Sequence, residues 1–310
     1  MVTKNILLFG GSGKIGEKLV SNLSSNYNVF SIDKNLKKNL NSLNIKYIKY
    51  NLLKNKSLLR IPKKIDSVIF LVGHSGGPDS IEIKNLKKYI DYNCETLINF
   101  LSIMKKRKIL KIIFTSTEHV YGDNAKNTSK TKLFEPNPKN YYGVSKLLAE
   151  KILYNFYFNN LIDVDILRIP RVIFNDDKNL ISSMIVSSFK KNKIYLSPTK
   201  AKFNFIYSDD LMDAFEACLI QKNTGFRILN IFNNSMPISP LSIAKVIKTR
   251  TNKKTKIFKL KKNNKVEHNP LNLIVSNSYS NKDLKWKPKF NNNRIINKLI
   301  KFYETKNSSR

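Results

Sequence analysis

The chain has 310 residues, enough for one sizeable core with a smaller appended lobe, and a formal net charge of +34 from 56 Lys and Arg against 22 Asp and Glu. Its lysines are scattered through every segment, with no zinc spacing, basic helix or aromatic stacking motif, so no dedicated nucleic-acid partner is expected. Two cysteines without metal spacing, no apolar run near the roughly 20 residues of a membrane span and no signal-peptide pattern point to a reduced, cytoplasmic chain with no metal and no membrane partner.

The first segment, Lys4 to Phe9, is apolar at its core, as a strand buried on both faces should be. It empties into Gly10-Gly11-Ser12-Gly13-Lys14-Ile15-Gly16, after which Leu19, Val20 and Leu23 recur at helical spacing. Strand, glycine turn and helix in that order form a phosphate cradle. Gly10 allows the turn, Gly13 the approach of backbone to a pyrophosphate, and Gly16 the tight packing of helix on sheet. The amides that open the helix, at Lys14 and Ile15, face the phosphates. A second short strand, Val29 to Ile32, ends in Asp33. An acidic side chain about 20 residues past such a loop accepts hydrogen bonds from a ribose diol and repels a 2′-phosphate, so NAD is expected rather than NADP.

Lys111 to Ser116 reads as another buried strand, running into Ser116-Thr117-Glu118-His119-Val120-Tyr121-Gly122. Farther on stands Asn140-Tyr141-Tyr142-Gly143-Val144-Ser145-Lys146, and Leu147, Leu148, Ile152 and Phe156 continue it as a helix face. Tyr142 and Lys146 therefore sit one turn apart on the same side. Among 14 tyrosines that spacing also arises without support, as at Tyr50 and Lys54. The flanking Gly143, Ser145 and Glu150, with Thr117 upstream, set the pair at 142 apart. An unperturbed tyrosine, with a pKa of about 10, is a poor base at neutral pH, and a neighbouring ammonium favours the phenolate.

The alternation of short apolar runs with helical patterns predicts an α/β fold. Together these motifs resemble the extended short-chain dehydrogenase/reductase family, the NAD-dependent nucleotide-sugar epimerases and dehydratases. Val68 to Val72, Asn93, Leu167-Arg168-Ile169, Phe205 to Leu211, Leu229-Asn230-Ile231 and Asp283 to Pro288 extend the resemblance along nearly the whole chain. It implies a Rossmann-type doubly wound parallel sheet with a smaller C-terminal α+β substrate lobe. Residues 1–170 would form the NAD-binding domain, with 203–235 returning to it, and 171–310 (mainly 171–202 and 236–310) the substrate lobe. It places Gly10, Gly13, Lys14, Ile15, Gly16, Asp33, Asn51, Leu52, Leu71, Val72, Tyr142 and Lys146 on the cofactor.

The resemblance also implies a catalytic set. Tyr142 would be the base, Lys146 would lower its pKa and hold the nicotinamide ribose, and Thr117 would bond the reacting oxygen. The implied activity acts on a nucleotide-diphosphate sugar by transient oxidation at C4, as in a UDP-glucose 4-epimerase. A dehydratase, a 4-keto-reductase or a non-catalytic NAD-binding relative are the alternatives. The predicted helix Ile81–Arg107 and the Tyr142 helix would build a homodimer interface.

Four departures bear on the substrate. Glu118 and His119 stand where dehydratases often carry Asp-Glu, which leaves two readings open: a second acid–base pair, or polar residues lining the pocket. Asn51 replaces a common Asp and can accept the same adenine hydrogen bond through its carbonyl oxygen. His74, in the glycine-rich stretch Gly73 to Asp79, is expected to be a loop residue on the substrate side. Arg171 replaces an Asn that helps hold the sugar nucleotide, and Phe203 an Arg on the diphosphate, so the anion site is expected to have moved toward the Arg171 fork.

Overall fold

Seven parallel strands form the central sheet in the computed structural model, whose described residues are 4–36, 44–54, 61–105, 107–123, 135–160, 162–260, 267–271 and 273–308. They are β1 (Asn5–Phe9), β2 (Asn28–Asp33), β3 (Ile45–Lys49), β4 (Ser67–Phe70), β5 (Lys111–Thr117), β6 (Asp163–Ile169) and β7 (Phe226–Asn230). Their spatial order is 3-2-1-4-5-6-7, with every pairing parallel. The order reverses between β1 and β4, and a crevice for ligands opens there beyond the carboxyl ends of the strands.

Alternation along the strands fills both faces. Ile6, Leu8, Val29, Ile69, Ile113 and Leu167 pack on Leu19, Val20 and Leu23 of helix α1 (Lys14–Leu23) and on Leu211 and Phe215 of the helix Ser208–Ile220. Leu7, Phe9, Val68, Phe70, Ile112 and Phe114 point the other way, onto Leu97, Phe100, Ala149 and Leu153. Phe9, Phe70, Phe100 and Phe114 meet there with ring centroids 5.0 to 6.1 Å apart. Doubly covered strands need near-continuous apolar runs, as the sequence indicates.

The helix predicted over 81–107 is interrupted. Two 3-10 turns, Pro78–Ile81 and Ile83–Asn85, are separated by Glu82, which is extended at φ −92° and ψ 122°. Helix α2 then runs as Leu86–Ile90, a π turn at Asp91–Glu95, and Thr96–Met104. The strand expected over 68–72 ends at Phe70, which leaves Leu71 and Val72 beyond the carboxyl edge of β4. Helix α3 (Tyr141–Asn160) covers the same face as α2.

After β6 the chain builds smaller layers. Arg171–Ile173 pairs in parallel with Phe205–Tyr207, and Lys193–Leu196 with Lys256–Lys259. A separate core of Ile181, Ile185, Ile194, Ile243, Ile247, Ile295 and Leu299 binds them to their helices.

A buried ionic cluster ties β5, β6 and β7 together. Asp165 on β6 is 0% exposed and accepts from the Arg227 guanidinium at 2.8 Å on each oxygen and from Lys111 at 2.9 Å. Lys111 also donates to the carbonyls of Cys218 and Gln221. Removing Asp165 leaves the buried Lys111 without a carboxylate and Arg227 with only the partly exposed Asp283, at 2.5 Å. Asp165→Asn should cost about 3–5 kcal/mol, read as a lowered urea midpoint in equilibrium unfolding.

Candidate active site

The glycine turn stands at the switch point. Gly10, at φ +88°, donates its N–H to Ile32 O at 2.8 Å and accepts the Gly13 N–H at 3.2 Å. A Cβ on Gly16 would lie 2.2 Å from Gly10 O and 2.7 Å from Gly11 Cα, so only glycine lets α1 seat against the turn. A cleft of about 440 Å³ runs from here, lined by Gly10, Gly13, Asp33, Asn51, Leu52, Leu71, Val72, Gly73 and His74. The Asp33 carboxylate accepts the backbone N–H of Ser12 (3.2 Å) and of Asn35 (3.0 Å), which fixes it at the rim with further lone pairs to spare. Asn51 Oδ1 accepts the Leu53 N–H at 3.0 Å, so the oxygen expected to face adenine also holds a local turn.

Two expected cofactor residues turn their side chains elsewhere. Lys14 Nζ reaches Asp177 at 2.5 Å, and Ile15 packs against the core. Lys34, Tyr50, Lys88, Tyr92 and Thr96 also line the cleft, and the sequence reading missed them. Lys34 adjoins Asp33 and Tyr50 adjoins Asn51, a signal that was available, whereas the last three enter only through the interrupted helix α2.

Beside the cleft, where a Cβ on its lining residue Gly73 would lie 3.9 Å from Lys146 Nζ, β5 delivers Thr117, and α3 delivers Tyr142 and Lys146. The phenol of Tyr142 lies close enough to Thr117 for that hydroxyl to favour the phenolate. Burial holds the Tyr142 pKa above its ordinary value; the nearby Thr117 hydroxyl opposes this and the Glu118 charge adds to it. Lys146 is 5% exposed, with Nζ over the Phe114 ring at 4.1 Å, and burial pushes its pKa down to about 8 against the pull of Glu150 and Cys94. Among the effects that shift Tyr142, burial outweighs the Thr117 hydroxyl, which favours the phenolate.

A loop closes one face of the phenol. A Cβ on Gly76 would fall 2.4 Å from Tyr142 Cδ1, so the ring lies directly on bare backbone. Tyr89 and the edge of His119 flank it, with centroids 6.0 and 5.4 Å away. Asn93, buried in the π turn, accepts the His74 N–H at 2.7 Å and donates to His74 O at 3.2 Å and Ser145 Oγ at 2.8 Å. Ser145 Oγ in turn donates to Tyr142 O at 2.8 Å. His74 lines the cleft, its ring tilted 47° against that of Tyr89 with centroids 5.2 Å apart.

Glu118 and His119 follow Thr117 in a 3-10 turn, and both are buried. Burial raises the Glu118 carboxyl to about 7, opposed by Arg171 and by the Asn204 amide, which donates to Oε2 at 3.1 Å. His119 is held differently. Asn140 Oδ1 accepts the Gly143 N–H at 2.8 Å, so its Nδ2 must face outward, toward His268 O and His119 Nδ1, each at 2.8 Å. Nδ1 is then an acceptor and the ring proton sits on Nε2. Burial above all, with Arg171, His268 and Lys139, depresses its pKa to about 3. His119 is a neutral N–H donor with its acceptor nitrogen occupied. Arg171 lies over the Phe203 ring at 4.3 Å and donates to Asn269 Oδ1. Asn140, Asn204 and Asn269 carry no motif that sequence reasoning could have used. Among the described residues no group of three or more His, Cys, Asp and Glu is placed to hold a metal ion, and no helix is long and apolar enough to cross a membrane.

Residues 6–231 match the model of the NAD dependent epimerase/dehydratase family. The chain belongs to this family. It is 29% identical over 272 residues to a dTDP-D-glucose 4,6-dehydratase of Dictyostelium discoideum, a match that spans 79% of this chain but only 61% of that relative. It is 26% identical over 256 residues to a UDP-glucuronate 4-epimerase of Thermodesulfobacterium geofontis, covering 81% of this chain and 76% of the relative. Among solved structures it shares its fold with UDP-glucuronic acid 4-epimerase from Bacillus cereus in complex with UDP-glucuronic acid and NAD, at a TM-score of 0.81 and 23% identity over 97% and 99% of the two chains.

Within this epimerase/dehydratase family the state of position 119 separates an acid–base pair from a fixed donor. Long-range ¹⁵N–¹H spectra should show His119 as the neutral Nε2–H tautomer throughout about pH 5 to 8, because a depressed pKa leaves the ring uncharged above it. An imidazolium signal inside that window would contradict the assignment.

Proposed function

We propose that the chain is an NAD-dependent nucleotide-sugar epimerase acting by transient oxidation at C4, with Thr117, Tyr142 and Lys146 as its catalytic set. The observation that carries this reading is the meeting of Thr117, from the end of β5, with Tyr142 and Lys146, from one face of α3, beside the switch-point cleft, where a Cβ on the lining residue Gly73 would lie 3.9 Å from Lys146 Nζ. The cleft residues fit NAD: the Gly16 position has no room for a Cβ, and the Asp33 carboxylate is fixed at the rim. The amides at Gly13, Lys14 and Ile15 would take the pyrophosphate and Asp33 the adenosine ribose. Asn51 and Leu52 would flank the adenine, with Leu71, Val72 and Lys146 at the nicotinamide end. Bound there, the cofactor supplies a reversible hydride acceptor and a positive ring beside the phenol.

Tyr142 takes the proton of the 4-hydroxyl as the carbinol is oxidised, and gives one back when the ketone is reduced on its other face. Thr117 holds the reacting oxygen throughout. Lys146, already close to losing its proton at about 8, gains from the ribose hydroxyls the hydrogen bonds that burial denies it. No net redox change results, so no second substrate is required.

His119 favours epimerisation over dehydration. Loss of water from a 4-keto sugar needs a base for the C5 proton, and the His119 imidazole has its acceptor nitrogen tied to Asn140 and its proton on the other. Glu118, alone, would have to do both jobs. The retained Thr–Tyr–Lys set argues against a non-catalytic relative. The layers formed by 171–202 and 236–310 serve as the substrate lobe in this reading, and the strongly positive chain attracts a dianionic sugar nucleotide. Ile98, Val144 and Leu148 leave an exposed apolar face on α2 and α3, which suits a two-fold homodimer. Two free buried thiols accord with a reducing, cytoplasmic setting.

The test is a panel of nucleotide sugars incubated with the protein and NAD⁺ in heavy water. The expected product has unchanged mass, inversion at C4 and no deuterium on carbon, and Tyr142→Phe should lower kcat about 10²–10⁴-fold. Loss of water, or deuterium at C5, would overturn the epimerase reading in favour of dehydration.

A further inference from the structure

We infer that the Arg171 guanidinium reads a carboxylate on C5 of the reacting sugar, so that the substrate class is a nucleotide uronic acid rather than a neutral hexose. The inference rests on the C4 reading above.

Arg171 opens the strand Arg171–Ile173 just past β6, in the wall of the site that carries Glu118 and His119. A guanidinium offers a planar fork of donors. Among the described residues, this one spends a single hydrogen bond, on a neutral amide oxygen, and lays its flat face on Phe203 at 4.3 Å. Asn269 cannot turn away, because its Nδ2 donates to Glu267 Oε1 at 2.7 Å, and its oxygen is therefore committed to the arginine. The facing carboxylate, Glu118, is bound to Asn204 instead, and no carboxylate lies within ion-pair distance of Arg171 among the described residues. A half-buried guanidinium with one neutral partner keeps donors free for an anion that meets it. Burial does lower the Arg171 pKa, with Glu118 and Glu267 only partly offsetting it.

The position of the guanidinium decides which anion. A nucleotide sugar offers a diphosphate on C1 and, in a uronic acid, a carboxylate on C5. With C4 held at Thr117 and Tyr142, the C5 substituent is next to the reacting carbon, and C1 is across the ring. Arg171 pairs in register with Phe205, next to Asn204, whose amide donates to Glu118 directly after Thr117, and Ile169, two residues before Arg171, is the cross-strand partner of Thr117. Arg171 is thus a neighbour of C4, and a planar carboxylate matches its fork. A neutral hydroxymethyl group would leave the charge unanswered.

The test compares a nucleotide-linked uronic acid with the neutral hexose on the same carrier, in uridine and thymidine diphosphate forms, using NAD-saturated protein. The wild-type kcat/KM should favour the uronic acid by roughly 10- to 100-fold. Arg171→Met should erase that preference by lowering only the uronic acid value, and Arg171→Lys should retain part of it, with thermal melts confirming that both variants fold. Equal wild-type values for the two sugars, or equal losses for both in Arg171→Met, would overturn the inference while leaving epimerisation intact. If neither sugar turns over, calorimetry on the same pair still decides: tighter uronic acid binding that Arg171→Met abolishes supports the inference, and equal binding defeats it, separately from the fate of the epimerase reading.

Discussion

The gap between β1 and β4, where the sheet reverses its direction of growth, is the constraint on which everything else hangs. Parallel strands leave their carboxyl ends on one edge, and helices that cross in opposite directions from β1 and β4 cannot cover that edge at the reversal. The glycine turn after β1, Asp33 after β2, Leu71 and Val72 after β4, and Thr117 at the end of β5 all open onto it. The two apolar layers that sandwich the strands make the edge rigid, so a small set of polar groups can be placed on it accurately.

That placement relies on side-chain amides. Asn93 ties the Gly73–Gly77 loop to Ser145 and through it to the Tyr142 carbonyl. Asn140 sets the tautomer of His119, Asn204 occupies Glu118, and Asn269 occupies Arg171. An amide presents a donor and an acceptor in a fixed relation, so each one both holds its partner and dictates which lone pair or proton that partner has left. The chemistry available to Glu118, His119 and Arg171 is set by these neighbours as much as by their own identity.

Legibility from sequence follows from this division. The sheet was readable because strands covered on both faces need unbroken apolar runs, and the turn at Gly10 to Gly16 because its backbone tolerates no Cβ. Tyr142 and Lys146 were readable because helical spacing places them on one side of α3. The break at Glu82 and the π turn were not, since both are local departures from a period that continues on either side. Nor were the opposed pKa shifts of Tyr142 and Lys146, which depend on how much water burial removes from each group. The three amides that govern the substrate side come from distant parts of the chain, and only the packed fold brings them to the site.

The π turn at Asp91–Glu95 puts one extra residue into a helix that would otherwise keep a single face inward. Each helical residue advances the azimuth by about 100°, so the half before the turn and the half after it answer to different surroundings. Leu97, Phe100 and Met104 face the hydrophobic layer, whereas Lys88 lines the cleft and Tyr89 flanks Tyr142, with Tyr92 in the turn and Thr96 directly after it also on the cleft. Such a helix is a splice of two phases, and Asn93 is the joint. Excising a single residue there would restore a regular spiral and swing the upstream half out of the cleft, while the downstream half stayed anchored in the core. The length of this segment, counted to the residue, is therefore as much a part of the site's specification as any side chain in it.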